Sequence, residues 1–223
     1  MFGGRKQRQT PDFNRVDTIL GAGTEVKGTL KAEGTLRIDG TVEGEIEVNG
    51  DLIISESARL TANVKGRSAT VAGEIKGDMD LSGRLEIDPT GKIYGQIDVG
   101  SLAVSEGGFF VGNCSMKDEG TLRIDGTVEG EIEVNGDLII SESARLTANV
   151  KGRSATVAGE IKGDMDLSGR LEIDPTGKIY GQIDVGSLAV SEGGFFVGNC
   201  SMKDADRGSH LQNKKDSKLE TAN

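Results

Sequence analysis

Three kinds of side chain in this 223-residue chain could do chemistry: closely spaced carboxylates, two cysteines and a single histidine. Asp78 with Asp80, and Glu43 with Glu45, stand two residues apart, as paired carboxylates would in a cleft that cleaves a glycan. Residues two apart on a strand share a face. The pairs alternate with apolar residues and recur along the chain, so a solvated charged face is the better reading. His210, the one histidine, lies near the C terminus, which leaves an acyltransferase built on coiled repeats without a base in its folded part. Glycine is abundant, at 34 residues. Yet no Gly-Lys-Ser/Thr follows a spaced glycine as a phosphate-binding loop requires, and no tandem Gly-Gly-x-Gly-x-Asp units of a calcium-binding roll occur. The sequence therefore predicts no catalytic residue, no metal site and no cofactor.

The elements that carry these residues repeat at two scales. Residues 33–118 recur without one difference as 119–204, an offset of 86. Such identity marks the doubling as very recent or deliberate, and the second is favoured. Inside each copy, Leu36-x-Ile38, Leu52-x-Ile54, Ala69-x-Val71, Leu85-x-Ile87 and Leu102-x-Val104 follow one another at nearly even spacing. That fixed period, about 17 residues, is the self-similarity of a repeat architecture. A second signature, apolar-x-Gly-x-apolar, runs through Val26-x-Gly28-x-Leu30, Val42-x-Gly44-x-Ile46 and Phe110-x-Gly112-x-Cys114, with Leu60-x-Ala62-x-Val64 as the variant. Apolar and polar residues alternate in runs of three to five, as in Glu45-Ile46-Glu47-Val48, and turn chemistry such as Asn49-Gly50 breaks the runs. Period two with one face inward predicts short strands. Three of them per repeat describe one turn of a triangular β-solenoid whose turns stack in parallel. The sequence thus predicts an all-β chain with a single continuous coil over 18–204, made of about eleven such turns. A disordered arm (1–17) and tail (205–223) are expected on either side.

Composition agrees with a narrow interior. Aromatic residues are 4 % of the chain and tryptophan is absent, so small aliphatics must fill the core. The net charge of −10 is unevenly placed, with +2 on residues 1–17, +1 on 205–223 and −13 on the coil. A rod this acidic does not bind nucleic acid by neutralising phosphates. No apolar run is long enough to span a bilayer, and the start lacks a signal peptide, so a cytoplasmic protein is expected.

The coil repeat, the x-Gly-x corner, the segment Arg37-Ile-Asp-Gly-Thr-Val-Glu-Gly44 and the Met-Phe start together closely resemble the bactofilins. These are bacterial polymer-forming cytoskeletal proteins. Residues 18–118 correspond to one such domain of about six turns, and the second copy adds five. The resemblance implies a right-handed β-helix, end-to-end assembly without nucleotide, and attachment at the inner face of the cytoplasmic membrane.

Physical reasoning on the poles of the rod leads to the same place. A solenoid ends in an apolar cross-section and unpaired backbone groups unless a polar cap covers them, and neither flanking segment reads as a cap. The expected polymer contacts are Ile19, Leu20, Val26 and Leu30 at one pole. At the other they are Leu188, Val190, Phe195, Phe196 and Met202, with Cys200 beside them. Register puts Phe196 inside and Phe195 outside. Met1, Phe2, Arg5, Lys6 and Arg8 form an apolar tip with basic residues behind it, suited to a bilayer surface. Phe2 in place of glycine excludes N-myristoylation. Cys114 and Cys200 occupy the same position five turns apart, about 24 Å, too far for a disulfide. The rival to a self-assembling scaffold is a monomeric rod that shows a charged face to a protein or polysaccharide.

Overall fold

The computed structural model describes residues 16–203. All regular structure in that range is strand, 25 segments from Thr18–Leu20 to Cys200–Met202 with no helix among the described residues. Every pairing between them is parallel. They wind into a β-solenoid of about eleven turns, which at roughly 4.8 Å between stacked strands gives a rod about 50 Å long.

A turn is legible in residues 84–99. Arg84–Ile87 forms the first wall, Lys92–Tyr94 the second and Ile97–Val99 the third. Each wall alternates, so Leu85, Ile87, Ile93, Ile97 and Val99 point in and are at most 1 % exposed. Stacking in register turns these positions into columns. Leu36, Leu52, Ala69, Leu85 and Leu102 rise along the first wall, and Val42, Leu60, Ile75, Ile93 and Phe110 along the second. Phe110 is the largest fully buried side chain. Each wall has room for only two inward side chains, which is why a chain with so few aromatics fills its core.

The bend between second and third walls falls on glycine in most turns, and Gly112 adopts a φ of 143° there. Ala62 and Ala148 take this place in the two turns that lack it, with side chains buried and φ not positive. Where the bend displaces the backbone, side chains help carry the ladder. Asp78 N–H donates to Asn63 Oδ1 (3.0 Å), and Gln96 N–H donates to Asp78 Oδ1 one turn on (2.9 Å). At the third corner Arg67 pairs with Asp51 at 2.7 Å. Among the described residues no buried side-chain nitrogen or oxygen lacks a hydrogen-bond partner.

The junction between the copies keeps the coil in register. Leu102, Ala103 and Val104 pair with Leu122, Arg123 and Ile124, and Phe109 through Ser115 pair with Thr127 through Glu133. The extra residues at Lys117 to Gly120 are absorbed at a corner, where Lys117 reaches across to Asp80.

Candidate assembly site

Because the sequence is doubled, the structure contains its own control for what an uncovered turn looks like. The turn at residues 101–116 has another turn on it; its copy at 187–202 has none among the described residues. Val104 is 1 % exposed and Val190 48 %; Met116 is 1 % exposed and Met202 51 %. Phe110 is fully buried while Phe196 is half-buried, and Cys114 is buried while Cys200 is exposed. Local sequence is the same, so the difference comes from the layer above. In the interior that layer is Leu122, Ile124, Val128 and Ile132, each at most 2 % exposed.

The last turn therefore presents an apolar cross-section made by Leu188, Val190, Phe196, Cys200 and Met202, together with the open edges of its three strands. Covering these five half-exposed side chains is worth roughly 5 kcal/mol before the cost of association. At the opposite pole Leu20, Val26 and Leu30 are half-buried and pack on the core from one side only.

Two of the expected contact residues are not in the cross-sections. Ile19 is in register with Arg37 and points out of the first wall, 60 % exposed. Alternation dictates this, since its neighbours Thr18 and Leu20 take the inward places. Phe195 points out of the second wall, as register predicts, with its ring 5.8 Å from that of Tyr180. Met1, Phe2, Arg5, Lys6, Arg8 and His210 lie outside the described residues.

The candidate carboxylates lie on the walls. Asp78 accepts the Gln96 backbone bond, Asp80 pairs with Lys117, and Glu43 lies 3.3 Å from Lys27. Asp78, Asp80 and Asp98 line a shallow groove of about 800 Å³ along the third wall, with Glu131 and Glu133 further on. Their contacts are those of a structural ladder. Burial, with Asp98 adding to it, pushes the Cys114 thiol up to about 12. Among the described residues no group of three or more His, Cys, Asp or Glu could hold a metal ion.

Sequence reasoning missed the Asn63–Asp78–Gln96 relay and the reach of Lys117 past one turn. Short acceptors directly after the corner residues, Asn63 after Ala62 and Asp78 after Gly77, are the available signal for the first; nothing in the spacing marks the second.

The rod is a stack of similar turns with apolar side chains exposed at its poles. The family model described as bactofilin, polymer-forming cytoskeletal, matches residues 18–115 and again 115–201. The chain belongs to the bactofilin family. Two curated bactofilins of Myxococcus xanthus (strain DK1622) are similar to it. BacP is 30 % identical over 87 residues, which is 39 % of this chain and 36 % of BacP; BacO is 27 % identical over 86 residues, 39 % of this chain and 68 % of BacO. The match thus spans about a third of one relative and two thirds of the other. No solved structure gives a significant match. The family to which the chain belongs is described as polymer-forming and cytoskeletal.

Proposed function

We propose that this bactofilin is a cytoplasmic scaffold subunit whose rods join end to end into filaments without nucleotide, and that its N-terminal residues hold the filament at the membrane. The observation that carries the reading is the pair of matched turns: the same side chains are dry under a further turn and half-exposed without one. A second rod supplies at the pole what the next turn supplies inside. No energy source is needed, because burial of the cross-section drives the step.

The membrane part rests on Phe2 with Arg5, Lys6 and Arg8. Each basic residue near an anionic surface contributes about 1 kcal/mol and an inserted phenylalanine about 2 kcal/mol. One arm binds weakly, and many arms on one polymer bind firmly through effective concentration. Among the described residues no helix is long and apolar enough to cross a membrane, and the attachment proposed is peripheral, through the arm. The full chain is expected to pellet as filaments without nucleotide and to float with anionic liposomes. Removing residues 1–8 should abolish flotation and leave pelleting intact. A chain that never pellets contradicts the scaffold, and undiminished flotation of the truncated filaments contradicts the arm.

A further inference from the structure

The first wall carries one outward side chain per turn at its centre, and these side chains form a single column along the rod. Its members are Ile19, then Arg37, Ile53, Thr70, Glu86 and Ala103, then Arg123, Ile139, Thr156, Glu172 and Ala189. Read in one direction, each copy of the column is Arg, Ile, Thr, Glu, Ala. Reversed and laid on itself about Ala103, it sets arginine against glutamate at four turns and no like charges against each other. Arg37 meets the second copy's Glu172, Ile53 its Thr156, Thr70 its Ile139, Glu86 its Arg123 and Ile19 its Ala189. Ala103 meets its own copy on the axis.

The geometry points to an antiparallel lateral pair of rods, first wall against first wall, about a two-fold axis through Ala103. Charge argues against the third wall and selects this direction on the first. At the two positions flanking the first inward residue of each turn, the first wall holds four arginines against five carboxylates and the third wall ten carboxylates against three lysines, so third walls repel. Parallel pairing in register would set arginine on arginine and glutamate on glutamate. Exposed apolar side chains point the same way: away from the last turn, the large exposed hydrophobics among the described residues are Ile19 and Ile139, both in this column. The small residue at the axis lets the two walls approach closely. Arg37 already bonds Asp39 at 3.0 Å, and Arg170 lies 3.3 Å from Glu172. In the pair Arg37 sits between Asp39 and the second copy's Glu172 and Asp174, so these local pairs become shared clusters.

The pairing goes beyond end-to-end assembly and is best read in the full chain carrying Phe196→Arg, which removes the pole contact. Sedimentation equilibrium should give two-chain particles. Glu86→Arg with Glu172→Arg makes the column basic, and Arg37→Glu with Arg123→Glu makes it acidic. Each double variant alone should bind itself at least about tenfold more weakly. An equimolar mixture of the two should pair again, which a folding defect cannot imitate. In a Cys200→Ser background, a short bifunctional maleimide should link Ala103→Cys chains to each other and leave Thr70→Cys chains single. Particles of one chain at every concentration, a mixture that stays unpaired, or Thr70→Cys linking as well as Ala103→Cys overturns the pairing. End-to-end filaments stand or fall separately, by pelleting of the chain with Phe196 intact.

Discussion

A Phe196→Arg chain is expected to fold, to melt within a few degrees of the parent, and to stay in the supernatant at concentrations where the parent pellets. Phe196 is half-buried at the open pole, so an arginine there can turn its guanidinium to water in the single rod. In a filament that charge would lie between two apolar turns. The contact loses the roughly 1.5–3 kcal/mol of a buried aromatic and must also desolvate a charge. Since about 2.7 kcal/mol is a hundredfold in affinity, the concentration needed for assembly should rise at least about a hundredfold. The doubled sequence provides the matched comparison. Phe110 is the same residue in the same local sequence but fully buried; Phe110→Arg puts an unpaired charge in a dry core and should prevent folding. Normal pelleting by Phe196→Arg would remove Phe196 from the contact.

Gly112→Ala is the second large effect, and it falls on the coil itself. A Cβ on Gly112 would lie 1.8 Å from the carbonyl oxygen of Gly95 in the preceding turn, and the residue's φ of 143° is one that L residues rarely adopt. The obstacle is backbone on both sides, so relief requires two turns to move apart. That breaks the ladder and opens the core, at about 3–5 kcal/mol, the range of the most damaging single substitutions. Gly28 makes the same bend in the first turn with a φ of 123°, but a Cβ there meets nothing within 4 Å, since among the described residues no earlier turn lies beneath it. Gly28→Ala should then cost only the conformational strain, about 1–2 kcal/mol. Urea unfolding of the two variants measures the contrast. Equal losses would mean that conformation, and not the stacking of backbone on backbone, is what fixes glycine at this corner.

The architecture was legible because a solenoid is written in local rules. Leu85-x-Ile87 alternates on one wall, Ile93-x-Gly95-x-Ile97 turns the next corner, and a shift by one repeat superimposes one turn on another. The inward place of Phe196 and the outward place of Phe195 followed from that alternation. The same rule, applied to Thr18-Ile19-Leu20, assigns Ile19 to the wall, because inward and outward places cannot be shared by neighbours on one strand. Asn63, Asp78 and Gln96 were less legible: their bonds depend on how far the glycine bend displaces the ladder, a three-dimensional quantity that periodicity does not carry. The degree of exposure at Val190 and Met202 likewise depends on which turn is last, not on any residue near them.

Cys200 gives the most direct test of the poles, because it lies within the open cross-section and its twin Cys114 is buried and held protonated. In dispersed chains a thiol reagent should label one cysteine per chain, Cys200, and leave Cys114 untouched. On assembly the rate of labelling at Cys200 should fall at least about tenfold, while Phe196→Arg chains keep the fast rate at every concentration. Filaments that pellet fully and still label at Cys200 as fast as dispersed chains would show that the rods join through some other surface.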